Sequence, residues 1–186
     1  MKSSDLSLFD YMLLALIGRS GAGPHDLRRM ARQGRIFDFA GESRYYTEPK
    51  RLERLGYLQA RKEPGKTRPR TVYTLTEQAH EALREWSRTP VHFPRLEHEP
   101  LVRLLTADLV DERDVVESLG TLRADIADLQ TRLDIAEAAA DTLPHRRTYL
   151  LLSQRLARRL LDVHLEWLDE VERELAPDRE RRADEG

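Results

Sequence analysis

The chain has 186 residues, enough for one ordinary domain or two small ones, and its 34% charged and 6% aromatic content fits a helical protein with solvated faces. With no cysteine it offers neither a disulfide framework nor a thiolate zinc site. Its longest apolar run, Tyr11 to Ile17, is too short to span a bilayer, and no leader-like segment precedes it, so the expected location is the cytoplasm, with no membrane partner.

A net charge of −2 conceals an asymmetry. Residues 1–95 carry 18 Lys and Arg against 11 Asp and Glu, a net of +7, whereas residues 96–186 carry 13 against 22, a net of −9. The basic half is a candidate for a polyanionic partner; alternatively the charge only solubilises each face.

Taken in chain order, residues 6–17 read as a buried helix that stops at Gly18. Gly21-Ala-Gly-Pro24 is a turn ending in a proline at a first helical position. A second helix over about 24–33 turns Leu27 and Met30 inward and Arg28, Arg29 and Arg32 outward. Residues 36–39 fit either a short extended piece or a buried connector. The spacing over 43–56 predicts a third helix, with Leu52 and Leu55 on one face and Lys50, Arg51 and Arg54 around the rest. Pro49 lies inside it, which would delete the bond to the Tyr45 carbonyl unless the helix restarts at Thr47. The expectation is a kink at Pro49, with Ser43 to Tyr46 as a separate turn that aims Arg44 and Tyr45 outward.

Residues 57–63 and 71–75 are two short strands around a Pro/Gly turn whose tip carries Lys66, Arg68 and Arg70. Thr76 caps a helix to about Ser87, with Leu83 and Trp86 inward. Three helices, a hairpin and a helix are the order of a winged helix-turn-helix, in which the third helix reads the major groove and hairpin cations reach phosphates. Arg28, Arg29, Ser43, Arg44, Tyr45, Tyr46, Lys50, Arg51, Arg54, Lys66, Arg68 and Arg70 are then the candidate contacts to double-stranded DNA. Lys50 and Arg51 are expected to be replaceable by alanine without unfolding. The alternative is a winged helix whose basic face meets an acidic protein.

Tyr46-Thr-Glu-Pro-Lys-Arg-Leu-Glu-Arg-Leu-Gly56 followed by Tyr57-Leu58 resembles the signature Tyr-Pro-x-Leu-x-x-Leu-x-x-x-Gly-Leu-Ile of the PadR family of transcriptional regulators. Tyr73-x-Leu-Thr-Glu77 and Trp86 extend the similarity over about residues 6–88. Three positions depart from the family pattern: Gly23-Pro-His-Asp-Leu27 where Gly-Tyr is usual, Ala79 for a glycine, and Pro49 for the first leucine of the third helix. The resemblance implies a homodimeric bacterial repressor on a near-palindromic operator. It also implies a small hydrophobic or aromatic effector between the winged helix and the C-terminal helices; Trp86, Phe93, Tyr149 and Trp167 could line such a cleft or belong to the core.

Prolines 90 and 94 mark a connector over 90–99 between a winged-helix domain (1–89) and a helical domain (100–176), with a charged tail (177–186). Pro100 starts a short helix to about Leu109. From Asp111, Val115, Leu119, Leu122, Ile126, Leu129, Leu133, Ala136 and Ala140 recur in coiled-coil steps, predicting one helix of about 45 Å. After Pro144 a last helix, about 145–175, carries Leu152, Leu156, Leu160, Val163, Trp167, Val171 and Leu175 as its inward stripe. The expected fold class is mainly α with a small β-hairpin, a winged helix joined to a long-helix, coiled-coil-like dimerisation domain. Dimerisation is assigned to Leu119, Leu122, Ile126, Leu129, Leu133, Leu160 and Trp167, a purely intramolecular hairpin being the alternative.

The six histidines (25, 80, 92, 98, 145 and 164) show no ligand spacing, no glycine-rich phosphate loop follows a strand, and no Gly-x-Ser-x-Gly occurs. Neither an enzyme, a cofactor nor a metal is expected.

Overall fold

The computed structural model describes residues 6–33, 41–64 and 69–175 and divides into two units, 1–93 and 94–186. The expectations at Ile36–Phe39, at Lys66 and Arg68 and in the tail from Pro177 lie outside the described residues.

The first unit is built around α1 (Leu8–Ile17). Ser7 caps it: its hydroxyl accepts the Asp10 amide at 3.3 Å, while the Asp10 carboxylate accepts the Ser7 amide at 2.8 Å. Phe9, Leu13, Leu14 and Ile17 are buried, so α1 is the spine of a core that also takes Leu27, Tyr45, Leu52, Leu58, Tyr73 and Ala79. α2 (Pro24–Gln33) and α3 (Arg44–Arg54) pack on it and on each other. Strands β1 (Leu58–Glu63) and β2 (Arg70–Leu75) pair antiparallel, from Leu58 opposite Leu75 to Glu63 opposite Arg70, and α4 (Glu77–Trp86) follows from a Thr76 cap.

The turn before α2 does more than reverse the chain. Ala22 bridges Tyr73 of β2 through two backbone bonds of 3.0 Å, which pins the start of α2 to the hairpin. The glycines on either side permit this approach. Gly21 has φ +76°, and a Cβ there would meet the Tyr73 carbonyl at 2.9 Å; one on Gly23 would meet the Thr71 carbonyl at 2.8 Å.

α3 corrects the expectation of an element that restarts at Thr47. It is one α-helix from Arg44 to Arg54 with Pro49 inside. Its entry is a tight turn of i→i−3 bonds from Arg44, Tyr45 and Tyr46, and Thr47 is not a cap: its hydroxyl donates back to the Ser43 carbonyl at 3.3 Å. Tyr45, Pro49 and Leu52 form the buried stripe, so core packing on both sides of the ring holds the helix where a bond is missing. Leu55 falls outside the helix and is exposed.

The second unit contains α5 (Glu99–Leu104), α6 (Glu112–Gly120), α7 (Leu122–Ala140) and α8 (Arg147–Leu175). α5 is shorter than expected, because residues 106, 107 and 109 close i→i−3 turns instead of continuing it. The long helix expected from 111 to 140 is interrupted at Thr121. Gly120 is a weak helix former there, and the Thr121 hydroxyl bonds the Ser118 carbonyl at 2.7 Å. The seam residues Val115, Leu119, Ile126, Leu133 and Ala140 are buried, and α6 and α7 pack on α8 of the same chain.

The face of α8 turned to α6 and α7 is not the expected one. Gln154, Ala157, Leu161, Leu168 and Val171 are buried, while Leu152, Leu156 and Val163 are more than half exposed. Val171 is buried as expected, but from Ala157 to Leu168 the inward stripe is displaced by one residue, about 100° around the helix. Ion pairs bind the hairpin along its length: Arg123 to Asp169 and Glu172, and Arg158 to Asp134 and Glu137.

Candidate nucleic-acid interface

With Tyr45, Pro49 and Leu52 inward, helical periodicity puts Ser43, Tyr46, Thr47, Lys50, Glu53 and Arg54 on the open face of α3, and all six are exposed. Lys50 and Arg54 form no ion pair among the described residues. Among the described residues, the other candidate cations of the unit are all engaged. Arg28 bonds Glu42 at 2.6 Å and Arg29 bonds Asp26 at 3.0 Å. Arg70 reaches Glu63 at 3.1 Å and Asp26 at 3.5 Å, linking the hairpin to α2. Such exposed pairs are worth little in water and exchange readily for a phosphate.

Three candidates have other roles. Tyr45 is 3% exposed and meets Phe9 edge-on at 5.3 Å, so it is a core residue and not a contact. Arg44 lies over the Phe9 ring at 4.1 Å and near Glu48, bound to the edge of the core. Arg51 bonds the Asp10 carboxylate at 2.6 Å and Glu48 at 2.5 Å. Asp10 is 0% exposed, so Arg51 neutralises a buried charge, and Glu48 and then Asp10 hold its guanidinium pKa above the ordinary arginine value. Arg51 therefore braces α3 against α1, which argues for a structural role beside the expected one at DNA.

Sequence reasoning missed Thr47 and Asp10, although each leaves a signal. Thr47 falls one residue after Tyr46 and three before Lys50, on the same helical face. Ser7-x-x-Asp10 ahead of an apolar run is the pattern of a capping box.

The aromatic candidates for an effector site are found in separate settings. Trp86 stacks on Tyr11 at 4.4 Å with the rings 8° from parallel, joining α4 to α1. Phe93 is 87% exposed in the connector, and Tyr149 is exposed on α8. Of the residues assigned to dimerisation, Leu119, Ile126 and Leu133 are buried within the single chain, and Leu122 and Leu129 are half-buried on the same seam. The stripe left open is on α8: Tyr149, Leu152, Leu156, Leu160, Val163 and Trp167, with Leu160 and Trp167 half-buried. No helix of the described residues is long and apolar enough to cross a membrane, and no cluster of three or more metal-ligating side chains occurs among them.

No protein-family model matches the chain, and no curated protein aligns with it significantly. Solved structures do match. Bacillus subtilis PadR in complex with operator DNA superposes with a TM-score of 0.77 at 19% identity, covering 92% of this chain and 99% of that one. The same protein in complex with p-coumaric acid gives 0.68 at 18% identity over 91% and 99%. The Vibrio cholerae virulence activator AphA gives 0.68 at 20% identity over 89% and 96%. Both units of this chain thus follow one known design, and the fold is that of the PadR-like transcriptional regulators: a winged helix followed by a helical unit that ends in a long helix.

Proposed function

We propose that this chain is a PadR-type transcriptional regulator that binds a near-palindromic operator as a homodimer and acts as a repressor. The observation that carries the reading is the open face of α3, where Ser43, Tyr46, Thr47, Lys50 and Arg54 stand clear of the core with two cations unpaired among the described residues. Such a helix, braced by α2 and flanked by a hairpin, is suited to enter a major groove, with Arg54 or Lys50 reading guanine edges. Arg28, Arg29 and Arg70 at its margins supply phosphate contacts, and Lys66 and Arg68 join them by their place in the sequence at the hairpin tip. The complex of the B. subtilis protein with operator DNA supports this assignment.

The open stripe of α8 supports the dimer. Tyr149, Leu152, Leu156, Leu160, Val163 and Trp167 recur in steps of three and four, a seam for a second helix. Two subunits so joined would present two α3 helices to half-sites about 34 Å apart. The p-coumaric acid complex of the B. subtilis protein supports a small aromatic effector for this chain.

The test is duplex-DNA binding by fluorescence anisotropy across a salt series, followed by footprinting on neighbouring promoters. Removing Lys50 and Arg54 together should weaken binding without changing the urea midpoint and, where both touch phosphate, flatten the log–log salt slope by about 1.8. Binding and slope equal to wild type would show that α3 does not meet DNA. A basic face that binds an acidic protein would give no protected site on any promoter.

A further inference from the structure

The second unit contains a histidine pair that joins the start of α5 to α8. His98 caps α5, its Nδ1 accepting the Leu101 amide at 3.0 Å. Its Nε2 lies 2.7 Å from Nε2 of His164 on α8, and the two rings meet edge to edge, with centroids 4.9 Å apart and planes 21° from parallel. His164 Nδ1 faces the Leu160 carbonyl at 2.5 Å. Trp167 closes one side, its ring nearly perpendicular to that of His98 with centroids 5.7 Å apart.

These contacts fix both tautomers. An acceptor at His98 Nδ1 puts its hydrogen on Nε2; a donor at His164 Nδ1 leaves Nε2 with a lone pair. His98 Nε2–H therefore donates to His164 Nε2, and every ring nitrogen is satisfied only when both rings are neutral. A proton on His98 Nδ1 would oppose the Leu101 amide, and one on His164 Nε2 would oppose another N–H. The same pattern argues against a metal. A histidine ligating through Nε2 keeps its hydrogen on Nδ1, which the Leu101 amide forbids at His98.

We propose that His98 and His164 form a proton-operated latch that fastens the start of α5 to α8 when both are neutral and releases it on acidification. The reading is independent of DNA binding. Few other charges act on the pair. On α5, Glu99 is paired with Arg103. The charged side chains of α6, Glu112, Arg113, Asp114 and Glu117, are exposed, as are Arg159, Asp162 and Glu166 on α8. On α7, Arg123 is bound to Asp169 and Glu172, Arg132 to Asp128, and Asp125 is engaged. Burial first, and then the charge of His164, depress the His98 pKa below the ordinary value of 6.5. The sign follows. The unfolded chain takes up the proton more readily, so the contribution to stability is complete above that value and is lost as pH falls through the folded pKa.

Histidine-labelled full-length protein, followed by long-range proton–nitrogen NMR and amide exchange from pH 7.5 to 5, tests the latch. Opposite tautomers at pH 7.5 are expected, with His98 titrating below 6.5. The Leu101 amide, corrected for intrinsic exchange, should be about tenfold less protected at pH 5 if the measured His98 pKa lies one pH unit below its ordinary value, while the Leu133 amide is unchanged. His98→Asn retains a good cap without a titrating ring, and Leu101 protection in it should not depend on pH. Identical or mixed tautomers, or Leu101 protection equally pH-dependent in His98→Asn, would overturn the proposal.

Discussion

Asp10 is the residue on which the first unit turns. It is wholly buried, caps α1 through Ser7, and reaches α3 only through Arg51. Removing Arg51 leaves an uncompensated buried carboxylate, so Arg51→Ala should cost about 3–5 kcal/mol in urea unfolding. The double variant Asp10→Leu/Arg51→Ala should recover part of that loss, because the buried charge goes with its partner. If Arg51→Ala unfolds at the wild-type midpoint, the brace carries no weight and Arg51 keeps only its expected role at DNA. Arginine residues on α3 look alike in sequence. Only the direction of the buried stripe separates Arg54, which faces outward, from Arg51, which faces the α1 carboxylate.

At the scale of elements, much of the first unit was legible. Pro24 and Thr76 mark helix starts as expected, and the two strands pair where the sequence places them. Pro49 misled because a local rule was weighed without the core: the ring costs a bond, but Tyr45, Leu52 and the ring itself are buried together and keep the helix whole. α8 misled for a different reason. It carries two apolar stripes side by side, and the one with the larger side chains is not the one used within the chain, where Gln154 and Ala157 are buried instead. The glycine turn before α2 carries its own prediction. Gly23→Ala forces a Cβ to within 2.8 Å of the Thr71 carbonyl and should cost about 1–3 kcal/mol in urea. Gly41→Ala, where no described residue lies within 4 Å, should stay within about 0.5 kcal/mol of wild type. Equal costs at the two sites would mean that the Ala22 bridge does not hold α2 to the hairpin.

At the scale of the molecule, the charge asymmetry between halves matches a division of labour: a basic unit that presents α3 and an acidic unit that presents the open stripe of α8. Light scattering at micromolar concentration should give twice the 21.6 kDa chain mass, and Leu156→Lys/Val163→Lys should give the chain mass with its helices intact. A wild-type monomer would remove the dimer from the reading while leaving the winged helix in place. The central claim, sequence-specific recognition by a symmetric pair of α3 helices, is tested most directly by selection of bound duplexes from a random library by the full chain. The account predicts enrichment of a two-fold symmetric sequence, with half-site centres about one helical turn or a multiple of it apart, and its loss when Lys50 and Arg54 are both alanine. Enrichment of no common sequence, or of an asymmetric one that the double variant selects equally well, would contradict it.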